Sequence, residues 1–461
     1  MDGTSTGTAG RTGGTEVRGT SGPPVVVVGA GFAGLSAAVR LADAGRRVVL
    51  VEATKAGGGR SRSFLHDSGI ELDNGQHLMM GCYHETLAFL RTIGAEGNVS
   101  FQRNLAMDMV KLGGGRIKLR CPALPAPLHL AVGLAAMRGL GVLHKASALR
   151  MGLFMRGEVQ RPDDNETCDT WLRRLGQTQG IRGAFWDPLI WAVLNDDPLV
   201  ASAAMLVAVL ERAFLGTRDA SRLGVPRLPL SRLYVDDAVA HLRARGADLR
   251  FGAPMRGIVT DERGVTGVQL RNGDVIEARE VITAVPPPAL LDALPEAALR
   301  DPVFQDVARL GTSPIVNLWL FLDRPLFDDV PFLGLVGSPL HWLFDRSRIE
   351  GREDGDTLLN VTISGARGFV DDSPEVLVDL FKAEAARYFP GRRFTVLRSK
   401  VVKEKRATIS HAAGTYHRRP EVQSPIPGLW LAGDWVRTGL PATIESACAS
   451  GHMAAARVLE R

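Results

Sequence analysis

The clearest signal in the hydrophobic pattern comes early. Val25–Val28 is an unbroken apolar run, as in a central parallel strand buried on both faces. A helical stretch follows over Leu35–Ala44, with Leu35, Ala38, Val39 and Leu41 on one face and Gly45 as its stop. Val48–Val51 is a second apolar run, so residues 25–52 read as a β-α-β unit. Further strands are expected at Leu249–Phe251, Ile258–Thr260, Val265–Leu270 and Val275–Ala278, the last two joined by the turn Arg271-Asn272-Gly273-Asp274. Val281–Val285, Val316–Leu322, Leu358–Ile363 and Leu429–Ala432 also read as strands. Ser373–Tyr388 and Thr443–Leu459 read as helices.

Two regions depart from this alternation. Residues 166–220 carry mostly helical pattern, with Trp171, Leu172, Phe185, Trp186 and Trp191 as core candidates. Residues 109–157 contain no Asp or Glu but hold Lys111, Arg116, Lys118, Arg120, Arg138, Lys145, Arg150 and Arg156 around apolar runs. Such a mixture fits a helical surface lying on a lipid headgroup layer, or core helices with a solvated basic face. Residues 1–22 are Gly, Thr, Ser and Ala with few apolar groups, so a disordered tail is expected there.

Composition narrows the class. At 461 residues, with 45% hydrophobic and 23% charged residues, the chain suits a globular protein of two or three joined domains. A net charge of +5 is mildly basic, and no nucleic-acid motif accompanies it. Cys82, Cys121, Cys168 and Cys448 are scattered and read as reduced thiols, with no metal-like spacing. No secretory leader pattern and no run of 18 apolar residues stand out, which points to a cytoplasmic protein.

The candidate chemistry starts at Gly29-Ala30-Gly31-Phe32-Ala33-Gly34. Gly29 permits the strand-to-helix bend, Gly31 admits a pyrophosphate, and Gly34 allows close helix packing, while the amides of Phe32 and Ala33 open the helix. Glu52, followed by Ala53, sits where a carboxylate accepts ribose hydroxyls. Gly58-Gly59-Arg60 comes next, a close backbone passage with a guanidinium for phosphate. Near the other end, Gly433-Asp434 follows a short strand, and Thr443-Ile444 opens the last helix, whose amides can face a flavin edge.

This set of motifs resembles the flavin amine oxidase and phytoene desaturase superfamily, from about Val25 to Arg461. The resemblance implies an α/β fold: a Rossmann-like FAD-binding domain built from discontinuous segments (23–108, 245–300, 420–461), a helical region (109–244) and a mixed-sheet substrate domain (301–419). It places Met255 at the adenine by its backbone. Leu72–Tyr83, Phe185–Leu189, Asn195–Pro198 and Ser221–Pro226 are similar to the hydroxysqualene dehydroxylase branch. That resemblance implies reductive loss of a hydroxyl from hydroxysqualene, with Gly75 and Gln76 near FAD and His77 and Asp73 as proton-donor candidates. It also implies an isoprenoid lipid substrate and peripheral contact with the inner face of the cytoplasmic membrane. The electron donor leaves no mark in the sequence. Amine oxidation, carotenoid desaturation and a non-catalytic isoprenoid escort remain open alternatives.

Overall fold

The computed structural model describes residues 23–154, 161–352 and 355–461. The expectations for residues 1–22 and for Arg156 lie outside them. The first strand, β1 (Val25–Val28), is completely buried and runs between two parallel neighbours, β2 (Val48–Glu52) and Glu280–Thr283. Asp248–Phe251 pairs with β2 and Leu429–Leu431 with Glu280–Thr283, completing a five-stranded parallel sheet. Its strands come from the beginning, middle and end of the chain.

Helix α1 (Phe32–Asp43) lies on this sheet. The C-terminal helix Ile444–Leu459 packs against α1 so closely that a Cβ at Gly451 would lie 2.2 Å from the Ala33 carbonyl oxygen. Its small residues therefore set the approach of the two helices. The hairpin expected at Arg271–Asp274 joins Gly264–Leu270 to Val275–Glu277, within a three-stranded antiparallel sheet that begins at Met255.

The second large layer is a mixed seven-stranded sheet. Its order is Val396–Ile409, Thr312–Leu322, Thr357–Ile363, Trp342–Asp345, Phe332–Leu335, Ala106–Val110 and Arg116–Arg120. Alternation assigns its two faces. Leu359, Val361 and Ile363 pack on the helix Pro374–Tyr388, so Asn360 and Thr362 point the other way. On that second face Met109, Phe332, Trp342 and Phe344 meet the helical layer, which supplies Phe185 and Phe214.

Two elements differ from the expectation. Residues 106–120 form a hairpin at the edge of this sheet, so the acid-free stretch begins as strand and turns helical only at Leu128. Its first bases are also paired, Arg120 with Asp108 and Arg116 with Asp329 at 3.1 Å. Val396–Ile409, a 14-residue strand, has no apolar alternation because it is an edge strand bonded only to Thr312–Leu322 and bathed by solvent. Its lysines and arginines protect an edge that would otherwise recruit other strands.

Candidate active site

A glycine-lined cradle opens at the carboxyl end of β1. Gly29 has φ +107°, and a Cβ there would lie 2.8 Å from the Ala284 carbonyl oxygen. At Gly34 an added Cβ would fall 1.8 Å from the Gly29 oxygen. Gly31 is different: an added Cβ would meet nothing nearer than 3.9 Å, and what it would meet is Gly58 and Gly59. Open space therefore lies between the start of α1 and the second glycine motif.

The first intrahelical bond of α1 runs from Leu35 N–H to Gly31 O at 2.9 Å, so the Phe32, Ala33 and Gly34 amides lack helical acceptors, as at any helix start. Glu52 borders the same space. Its carboxylate accepts the Ala30 N–H at 2.8 Å, and the Thr54 N–H and hydroxyl at 2.8 and 2.7 Å. Ala53 is exposed at the rim, while residues 252–255 run alongside, with Ala253 N–H donating to Glu52 O at 2.9 Å. Met255 is thereby placed beside the Glu52 end of the cradle. Amide donors, a guanidinium, a carboxylate and room held open by glycine fit a dinucleotide with a pyrophosphate and ribose.

Phe32 serves the cradle only through its backbone. Its ring is buried and stacks on Tyr234, with centroids 3.7 Å apart. Tyr234 in turn donates its hydroxyl to Gly58 O at 3.0 Å, fixing the Gly58–Arg60 loop. Nothing in the sequence singled out this tyrosine, since its partner lies 176 residues away.

The two ends of the chain meet at Arg60. Its guanidinium pairs with Asp434 at 2.6 Å and donates to Ala407 O at 2.6 Å. Gly433, at φ +142°, has no room for a side chain beside Trp435, and its N–H reaches Ser450 Oγ at 2.8 Å. Thr443 caps the last helix by accepting the Ser446 N–H at 3.3 Å, and Ile444 is its first helical residue.

Arg419, also unmarked in the sequence, is buried and donates to the carbonyls of Asp434, Trp435, Val436 and Leu440. Burial among these neutral acceptors pushes its pKa down to about 10. The guanidinium thus staples the loop that follows Gly433.

Residues 72–77 cross from this centre to the large sheet. A Cβ on Gly75 would sit 2.8 Å from Asn317 Nδ2, so the segment passes directly over that sheet. Gln76 Oε1 accepts from the buried Arg346 at 3.1 Å. Asp73 is buried, and its Oδ1 accepts the Leu230 N–H at 2.8 Å and the Ser63 hydroxyl at 2.7 Å. Burial raises its pKa, against the opposing Arg346 charge. Burial and the Arg60 charge push His77 down to about 4, so its imidazole is neutral at pH 7. The sequence paired these two residues as proton donors; the structure ties Asp73 into a brace and sets His77 within the influence of the Arg60 charge.

The longer sequence words fall at joints. Met79–Met80 pairs with Leu223–Gly224. Asn195, at φ +51°, accepts the Gly365 N–H at 2.7 Å and donates to Ser313 O at 3.2 Å. Asp196 pairs with Arg367 at 2.7 Å and accepts the His411 N–H at 2.6 Å. His411 Nε2 then accepts the Ala442 N–H at 2.7 Å, linking the helical layer to the start of the last helix.

Away from the centre, the helices Leu128–Ala135 and Val142–Phe154 carry much of the exposed aliphatic surface. Leu128, Val132, Val142 and Leu143 are 54%, 43%, 79% and 80% exposed, close in sequence to the exposed Arg138. Among the described residues, no helix is long and apolar enough to cross a membrane.

The family model for flavin containing amine oxidoreductases matches residues 32–459. A hydroxysqualene dehydroxylase of Rhodopseudomonas palustris is 32% identical over 447 residues, covering 94% of this chain and 98% of the relative. One from Zymomonas mobilis is 30% identical, covering 93% and 97%. A 15-cis-phytoene desaturase of Synechococcus elongatus is 26% identical, covering 95% and 96%. Among solved structures, an oxidoreductase from Methanosarcina mazei has a TM-score of 0.72 at 18% identity, covering 95% of this chain and all of that one. Putrescine oxidase has a TM-score of 0.71 at 17% identity, covering 95% and 99%. Both structural likenesses concern the fold alone.

Proposed function

The chain belongs to the flavin containing amine oxidoreductase family, in its hydroxysqualene dehydroxylase branch, and is an FAD-dependent oxidoreductase; from that premise we propose that it reduces hydroxysqualene to squalene. The observation that carries this reading is similarity to hydroxysqualene dehydroxylases along nearly their whole length. In balance, one hydride and one proton enter, the C–O bond breaks, and water leaves. Reduced FAD supplies the hydride.

The protein's own part is positioning and exclusion of water. Gly29, Gly31, Gly34, Glu52, Gly59 and Met255 would hold the dinucleotide, together with Arg60, Asp434 and the Thr443-Ile444 helix start. Gly75 and Gln76 line the approach. The apolar faces of the large sheet and the helical layer take the thirty-carbon chain and keep bulk water from a cation that water would trap. Asp73 braces the strand. His77 hands the proton to the departing hydroxyl: with a pKa of about 4, only about one molecule in a thousand carries it at pH 7. Turnover limited by this transfer rises as pH falls from 7 toward 5.

The test is anaerobic. Chemically reduced holoenzyme mixed with hydroxysqualene should yield one squalene per flavin reoxidised. Flavin that stays reduced sinks the reading. Similarity to the phytoene desaturase favours a second reading, in which oxidised enzyme introduces double bonds into a polyene and its flavin becomes reduced.

The exposed aliphatics of 128–143 support membrane contact as the route by which substrate arrives. Replacing Val142 and Leu143 by Asp should release the protein from sedimenting anionic liposomes. Reversing Arg138, Lys145 and Arg150 to Glu should weaken binding by about 1 kcal/mol or more per charge. Unchanged binding in both variants would discard the membrane route.

A further inference from the structure

The wall of the large sheet that faces the helical layer is apolar except at its middle. There, Thr362 Oγ1 lies 3.0 Å from both Asn317 Oδ1 and Asn360 Oδ1. Its single proton serves one of them. Asn360 is fully buried, yet its Nδ2 has no hydrogen-bond partner. Trp342 is 7% exposed, and its Nε1 has none either.

These two donors are neighbours. Trp342 pairs with Thr362 and Phe344 with Asn360, so Trp342 and Asn360 form a diagonal pair on one face of adjacent antiparallel strands. Diagonal residues lie about 7–8 Å apart, within reach of an indole and an amide converging on one atom. The strands are the third and fourth of seven, as interior as the sheet allows. Even so, the cross-strand partners Trp342 and Thr362 keep 7% and 8% of their surface accessible beneath the helical layer. Both unpartnered donor atoms are themselves shut off from solvent. Buried donors without acceptors are rare in folded proteins and call for a missing partner.

We propose that Asn360 Nδ2 and Trp342 Nε1 form a polar anchor that donates to the substrate's hydroxyl oxygen, one of the two bonds being given up as that oxygen takes the proton. The proposal rests on the alcohol-reducing reading above and sharpens it: the enzyme selects an alcohol over a hydrocarbon of the same skeleton by offering it two donors that nothing else satisfies. A polyene has no atom to accept from them, so its burial leaves both unpaired. Thr362, by donating to Asn360 Oδ1, is the positioning residue that fixes the Asn360 amide. The anchor binds and orients the C–O bond and makes no covalent step.

Binding to oxidised holoenzyme, where no turnover occurs, separates the possibilities. A thirty-carbon allylic alcohol and the matching hydrocarbon would each be titrated from detergent micelles, reading the perturbation of flavin absorbance. Wild type should favour the alcohol by at least about tenfold. Trp342→Phe and Asn360→Leu should each lower alcohol affinity about tenfold and leave hydrocarbon affinity within about twofold. Asn360→Leu, which removes an unsatisfied buried donor, should keep or raise Tm. Equal losses for both ligands would reduce these residues to packing and overturn the anchor. So would alcohol affinity unchanged in both variants, the result expected if an ordered water occupies the donors. A wild type that does not prefer the alcohol would overturn the substrate reading itself, and the anchor with it.

Discussion

Around the cofactor cradle, recognition is a matter of backbone. Gly29 and Gly34 are there because a single methyl group would collide with a carbonyl, and Gly31 because its space is needed. Where the large sheet meets the helical layer, the proposed substrate chamber, the contacts are made by side chains from separate strands and helices: Met109, Phe332, Trp342 and Phe344 against Phe185 and Phe214. Backbone geometry at a turn tolerates almost no substitution, whereas an apolar wall can be rebuilt from other apolar residues of similar volume. Substitutions are therefore expected to be far more costly in the first region than in the second.

The sharpest way to break this contrast is Gly34→Ala. Its Cβ would meet a backbone oxygen that cannot move aside, so a loss of about 3 kcal/mol or more and a colourless protein are expected. Retention of the flavin absorbance at 450 nm, with an unchanged Tm, would show the cradle to be softer than drawn.

Next comes acid. Burial pushes His77, His341 and His411 down to about 4. The unfolded chain takes up these protons first, near pH 6.5, so stability is intact above that value and falls as pH drops toward 4. Between pH 7 and 6 the combined loss should be about 2 kcal/mol, read as a fall in Tm. A flat Tm across that interval would mean that the histidines are more hydrated than their packing implies.

Arg60→Met is milder, because Arg60 is partly exposed while Asp434 is not. Leaving Asp434 unpaired should cost about 1–2 kcal/mol and weaken FAD binding roughly tenfold. Fluorescence titration of apoprotein would measure it. Smallest is Phe332→Leu in the chamber, about 1 kcal/mol, with flavin content unchanged and KM altered. Should Phe332→Leu strip the flavin while Gly34→Ala keeps it, the two halves would have exchanged roles.

The same contrast governs what could be read from the sequence. The glycine spacings, Glu52, Arg60 and Asp434 were legible as separate candidates because each lies within a few residues of a recognisable turn, but the pairing of Arg60 with Asp434, 374 positions apart, was not. Arg419, Tyr234 and His411 were not, since their work is defined by carbonyls and amides that only folding brings near. The Val396–Ile409 strand escaped notice because solvent on its exposed side removes the alternation that marks a strand. Asp73 and His77 were legible as candidates, but the bonds that brace Asp73 and the charge beside His77 come from Ser63, Leu230 and Arg60, which only folding brings near.

The meeting of Arg60 with Asp434 also sets a clock on biosynthesis. The two residues are 374 positions apart. At ribosomal speeds roughly 20–75 s separate their appearance. Through that interval β1, α1 and β2 are already made, but β1 lacks its neighbour Glu280–Thr283 for most of it, and α1 lacks the helix that covers it until the end. The nascent chain thus carries an unfinished, apolar sheet for much of its synthesis, and on the reading proposed above the cradle is complete only once the last segment has been released. Supply of FAD cannot rescue the chain before then, so shielding of that sheet, not flavin concentration, is what should limit the yield of active protein when the chain is made quickly.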